Sequence, residues 1–359
     1  MHAFIVTVPY VLIEVTNFIL ANEIADADIY ITRTFFDAEA VAERLKDTEV
    51  FAHVYIMDNV LLTYPITGKK CIEVVKNGKH VVKDLSGRKY DYAYYCNTGW
   101  LINSIFYTGF VKGNKYCKHR FLEHGYGTYL TEYSKKPLYL RLFINLMGYK
   151  CMDGSMLEAL YMFDPGMLKV PHNGELRIMP YIDRNNKKLV DTLNHAFAFD
   201  PENNEFNDKD IIILEQGPLK VEFDKESFWT SILNRINHDE AIIKAHPRQN
   251  GSTLQQSGIS TSEMFSIPWE MIALNINIEE KTQMTIFSTS CVMPKINFDL
   301  EPTVIMLYKL VPVNYTNFMN KQMDDLLIEI QNKYSDKRKF FIPETIEEFE
   351  KYCREHQLV

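Results

Sequence analysis

Asp210-Ile211-Ile212-Ile213-Leu214-Glu215-Gln216-Gly217-Pro218 is the stretch whose reading decides the fold. Ile211 to Leu214 is a short run of apolar residues, three of them β-branched, bounded by turn-forming residues. That pattern predicts a strand buried on both faces, as strands of parallel sheets are. It stops at Glu215-Gln216-Gly217-Pro218, where polar and turn residues take over. Upstream, residues 172–208 are polar and turn-rich, with Asn173-Gly174 and the acidic run PENNEFNDKD from 201 to 210. Such a composition shift marks a domain boundary, and Ile211 to Leu214 is the opening strand of the second domain.

Reading outward from that strand gives an α/β alternation on both sides. Downstream, Phe228 to Ile236 reads as a helix, Ala241 to Ala245 as a strand running into His246-Pro247, and Trp269 to Ala273 as a helix start. Thr282 to Phe287 is a strand into Ser288-Thr289-Ser290, Thr303 to Lys309 another strand, and residues 317–333 and 345–356 are helices. Upstream, His2 to Val8 is a strand followed by the helix Val11 to Asn22. Asp28 to Thr32, Glu49 to Met57, Asp91 to Cys96 and Lys118 to Leu122 are further strands, with helices at Ala38 to Leu45 and Leu101 to Phe110. Ile72 to Val82, interrupted by Asn77-Gly78, reads as a hairpin or a helix end. Strands alternating with helices in this way build parallel sheets. The expected domains are 1–190, 191–342 and a terminal helical segment 343–359 that crosses back to the first domain.

Composition agrees with two cores. A chain of 359 residues exceeds the size at which one core usually keeps growing. Hydrophobic residues make up 46% and charged residues 24%, the balance of a globular protein. The net charge of -8 argues against a nucleic-acid partner, which would call for a basic field. Six widely spaced cysteines lack a CxxC pair and point to reduced thiols and the cytoplasm. The apolar segment Pro9 to Ala21 carries Glu14 and Asn17 and falls short of the roughly 20 residues that span a bilayer. Peripheral membrane association and a homodimer are left open.

Chemistry-bearing residues gather at predicted strand ends, where open parallel sheets bind ligands. Glu123-His124-Gly125 follows one strand, His246-Pro247 a second, and Ser288-Thr289-Ser290 a third. Glu123 suits a general base, or else a carboxylate capping a turn. His246 suits a proton donor to a leaving phosphate, or else a histidine held by a backbone carbonyl. Ser288 and Ser290 suit phosphate binding or helix capping, and Glu270, behind Pro268, suits ribose binding or the first turn of a helix. No DxD-type metal motif stands in a convincing context: Asp324-Asp325 is mid-helix and Asp26-x-Asp28 precedes a strand.

Taken in order, EHG at 123–125, YMFDPGML at 161–168, DIIILEQGPL at 210–219, IIKAHPR at 242–248, SIPWEMIAL at 266–274 and MTIFSTSC at 284–291 resemble the bacterial sialyltransferases of glycosyltransferase family 52 and the related bacterial polysialyltransferases. The resemblance implies the GT-B fold, two Rossmann-like α/β/α domains facing across a cleft. It implies an inverting, metal-independent transfer of sialic acid from CMP-sialic acid to a cell-surface glycan, lipooligosaccharide or capsular polysaccharide. No cofactor is expected beyond that donor substrate; the partners are a nucleotide sugar and a glycan acceptor. In this chain Glu123 would be the base and His246 would assist departure of CMP. Ser288, Thr289, Ser290 and Pro247 would lie around its phosphate, Glu270 would reach the ribose or cytosine, and Gln216 and Gly217 would line the cleft. His124 and Gly125 would stand on the acceptor side; His124 replaces the second acid of the family's motif. The alternatives are another GT-B transferase of surface polymers, using a hexose or glycerol-phosphate donor, and a non-catalytic glycan- or nucleotide-binding protein.

Overall fold

The computed structural model describes residues 1–60, 67–96, 99–217, 222–246, 252–254, 257–317 and 319–359. The chain divides into two compact units, Met1–Phe199 and Asp200–Val359. Each is a parallel sheet with helices in its crossovers.

The first unit is built on seven strands: β1 (His2–Val6), β2 (Ala27–Thr32), β3 (His53–Met57), β4 (Tyr92–Tyr95), β5 (Lys118–Leu122), β6 (Leu157–Met162) and β7 (Glu175–Ile178). They lie in the order β3-β2-β1-β4-β5-β6-β7, every pair parallel. In the central strand, Ala3, Phe4, Ile5 and Val6 are all buried, the apolar run that a strand covered on both faces requires. Its register sets Phe4 opposite Ile29 on one side and Tyr94 on the other, and the Phe4 and Tyr94 rings stack at 4.3 Å. The helices are α1 (Pro9–Ala21), α2 (Ala38–Leu45), α3 (Gly68–Ser86), α4 (Trp100–Gly113), α5 (Leu138–Leu146) and α6 (Lys187–Phe197). Helix α3 packs on α4, whereas α6 packs on α1 and α2. Because strand order reverses beside β1 and crossovers are right-handed, these two sets cover opposite faces.

The second unit repeats this order with six strands: β8 (Ile211–Leu214), β9 (Ala241–Lys244), β10 (Ser260–Thr261), β11 (Thr282–Thr285), β12 (Thr303–Met306) and β13 (Phe340–Phe341), arranged β10-β9-β8-β11-β12-β13 and all parallel. All four residues of β8 are buried. Its helices are α7 (Lys225–Leu233), α8 (Trp269–Asn275), α9 (Met293–Phe298), α10 (Lys321–Lys333) and α11 (Ile346–Glu355). Two Rossmann-like units in one chain are the components of the GT-B fold that the sequence implies.

Three expectations change. The division falls after Phe199 rather than after residue 190, because α6 buries Leu189, Leu193 and Ala196 in the first unit. The terminal helix α11, expected to return to the first domain, belongs to the second unit. Glu350 pairs with Arg235 at 2.6 Å, Leu358 O accepts from Asn237 N at 2.8 Å, and Tyr352 stacks on Phe341. Finally, residues 72–82 form neither a hairpin nor a helix end but the middle of α3.

Candidate functional site

In the second unit the order reverses between β8 and β11, and the exits flanking such a switch point are where open parallel sheets bind ligands. Gln216 spans the switch point: its Oε1 accepts the backbone N–H of Phe287 at 2.8 Å. The exit of β9 adds His246, whose imidazole lies over Gly217; a Cβ at 217 would stand 3.5 Å from Cε1 and Nε2 of the ring. Glu215 continues the ladder, with its N–H donating to Lys244 O at 3.1 Å. Its carboxylate holds Thr253, Oε1 accepting from the backbone N–H and the hydroxyl at 3.0 and 2.6 Å.

Beyond β11 the chain turns through a short 3-10 segment, Thr289–Cys291, into α9. Ser288 stands at the cap position of this turn, yet its side chain makes no capping bond. Capping, one reading of these residues, is therefore not what the Ser288 hydroxyl does. Pro247 lies outside the described residues.

Glu270, the second residue of α8, is buried. Burial pushes its carboxyl up to about 7, opposed by its own backbone N–H and the charge of Lys244. Lys244 is also buried and donates to Met264 O at 2.9 Å; burial pulls its ammonium down to about 8, opposed by Glu270 and Glu205. The attraction between the two buried groups favours their charged forms, against the burial that disfavours them.

In the first unit, Glu123 follows β5 directly, its N–H donating to Tyr161 O at 2.9 Å. The side chain is completely buried. Oε2 accepts from the Tyr129 hydroxyl at 2.5 Å and from Phe163 N at 2.9 Å, while Oε1 has no hydrogen-bond partner. Burial pushes the carboxyl up to about 8, against the lowering effect of those two bonds, and Asp164 adds a little to the rise. His124 beside it is neutral near pH 7, because burial pulls its imidazole down to about 4. Thr128 Oγ1 accepts the His124 backbone N–H at 3.0 Å and lies 3.0 Å from Nδ1, which fits an Nδ1 acceptor and a proton on Nε2. Gly125 has φ +100° and ψ -179°, a region essentially reserved for glycine, and packs toward Tyr10 at the start of α1.

The sequence did not single out Tyr129 and Lys244. Tyr129 lies six residues after Glu123 in the run EHGYGTYL, where a tyrosine spaced to fold back on the carboxylate was the available signal. Lys244 stands in the IIKAHPR run, where a lysine in an otherwise apolar strand is the cue. Among the described residues no group of three or more His, Cys, Asp or Glu side chains is arranged to hold a metal ion.

No protein-family model matches the chain, and no curated protein is similar to it in sequence. Among solved structures, the chain is similar to a glycotransferase of kitacinnamycin at 10% identity, covering 99% of this chain and 94% of that one, with TM-score 0.49. It is similar to a UDP-N-acetylglucosamine 2-epimerase at 9% identity, covering 99% and 95%, with TM-score 0.46. The spinosyn rhamnosyltransferase SpnG is 10% identical over 99% of this chain and 91% of that one, with TM-score 0.44.

Proposed function

We propose that the chain is an inverting, metal-independent glycosyltransferase that moves sialic acid from CMP-sialic acid to a glycan hydroxyl. The observation that carries this reading is the switch point of the second sheet, where Gln216 bridges to Phe287 N and His246 lies over Gly217. The Ser288 side chain, at the next strand exit, is not taken up by capping. Hydrogen-bond donors gathered at a switch point suit a phosphate whose negative charge grows as the sugar departs.

On this reading the acceptor oxygen forms its bond to the anomeric carbon as the bond to the CMP phosphate breaks. The acceptor proton passes to Glu123, and His246 donates a hydrogen bond or proton to the departing phosphate. A nucleoside monophosphate carries less charge than a diphosphate, which makes a metal dispensable. The raised pKa of Glu123 suits a base working near neutral pH, where strength and availability are balanced. Glu270, at the start of α8, would reach the ribose or cytosine.

Thermal unfolding in the presence of CMP, UDP, GDP or CDP tests the donor. A nucleotide at a hundred times its Kd stabilises by about 2.7 kcal/mol. CMP is expected to raise the melting temperature most, and release of CMP from CMP-sialic acid should depend on a glycan acceptor. Preferential stabilisation by UDP overturns the donor assignment.

A further inference from the structure

Helix α5, LYLRLFINL, turns its apolar side away from the protein. Leu138, Tyr139, Leu142, Phe143 and Leu146 are 69, 74, 53, 52 and 87% exposed, and Ile144 is the buried residue of the helix. At about 100° per residue the five exposed side chains share an arc of roughly 140°, opposite Ile144. A helix of a globular protein presents such a stripe to the core, so its exposure calls for another apolar surface.

The helix is held firmly in this orientation. Lys136 N donates to Asp153 at 3.1 Å just before it, and Arg141 turns back to the same carboxylate at 3.7 Å. After it, Tyr149 N donates to Ile144 O, and the Tyr149 hydroxyl donates to Val75 O at 2.7 Å. Charge then selects the occupant. With Arg141 paired to Asp153, residues 134–150 leave Lys135, Lys136 and Lys150 as the remaining basic side chains and contain no acid, Glu132 lying just upstream, in a chain of net charge -8. Lys135 and Lys150 are exposed at either end of the stripe.

We propose that α5 with its flanking lysines is a docking element for an anionic lipid surface, lying in the plane of the headgroups. Nine residues make a helix only about 14 Å long, and no helix among the described residues is long and apolar enough to cross a membrane. An apolar face joined to basic flanks supplies the two signals that stable peripheral binding needs. A second copy of the chain fits less well, because a two-fold contact through α5 sets the same basic flanks against each other. The proposal is independent of which donor the chain uses.

The test is co-sedimentation of the full chain with vesicles of phosphatidylcholine, alone or mixed with phosphatidylglycerol. Binding is expected to the mixed vesicles, weakening with salt and falling about fivefold for each of Lys135 and Lys150 changed to Ala. Leu142→Asp with Leu146→Asp, at exposed positions that leave the core intact, should lower partitioning more than about tenfold. Absence of binding to the mixed vesicles at low salt overturns the proposal, as does unchanged binding of the double variant. So does a dimer that the double variant dissolves while vesicle binding is missing, since a second copy is then the occupant.

Discussion

Replacing Glu123 by Gln converts the burial of this carboxyl into a measurable dependence of stability on pH. In the folded chain its pKa is about 8 against an ordinary 4.5. The folded state therefore holds a proton that the unfolded state releases between these values, and stability falls as pH rises through that window. The slope approaches about 1.4 kcal/mol per pH unit, so the first unit loses roughly 2 to 3 kcal/mol between about pH 5.5 and 7.5 through Glu123 alone. Glutamine has no proton to lose. Its amide oxygen can accept from Tyr129 and Phe163 N, while its NH2 takes the place of the partnerless Oε1, a fixed penalty of about 1–3 kcal/mol at every pH. The variant should be the less stable protein at low pH and approach or overtake the parent as pH rises. Urea unfolding of both proteins at the two pH values isolates the effect, since other titrating groups cancel in the difference. A difference that stays constant with pH would refute the reasoning, for it would mean that Glu123 is ionised in the folded protein.

Two further outcomes follow from the same geometry. If Glu123 is the base, transfer should rise with pH toward about 8 and fall by about 10²–10⁴ in Glu123→Gln; a profile already flat above pH 5, abolished by His124→Ala, would assign the base to His124, whose pKa is about 4. Gly154→Ala should destabilise the first unit by about 1–3 kcal/mol or more, measured by denaturant unfolding, because a Cβ there would stand 1.9 Å from Tyr133 O.

How much the sequence disclosed follows from where each signal originates. The run Ile211 to Leu214 was legible because a strand buried on both faces has to be apolar throughout, and Gln216 followed at its own exit and Ser288 at that of β11. The turn assigned to Asn77-Gly78 was misread: Gly78 sits in α3 where a Cβ would stand 2.5 Å from the Tyr149 hydroxyl and 2.9 Å from Ile105 Cδ1. That glycine answers a packing demand from residues distant in sequence, which local turn statistics do not register. Helix α6 was hidden in a segment polar on average, although Leu189, Leu193, Ala196 and Phe197 keep helical spacing after the Asn186 cap. Placement of Glu123 at a strand exit was readable, but not its enclosure, which depends on Phe163 at the exit of β6 and on Tyr129.

That enclosure also sets what ionises Glu123. A second carboxylate beside Glu123 would raise its pKa by like-charge repulsion, whereas neutral His124 contributes no such charge, so burial carries most of the rise to about 8. At pH 7 the carboxyl is then largely protonated. Both existing bonds go to Oε2. The unpartnered Oε1 is therefore the oxygen on which a bonded hydroxyl would have the largest effect. If Glu123 is the base of the proposed transfer, a hydroxyl donating to Oε1 favours the ionised form and lowers the pKa, so a hydroxyl-bearing acceptor that gained access would help to generate the base it needs.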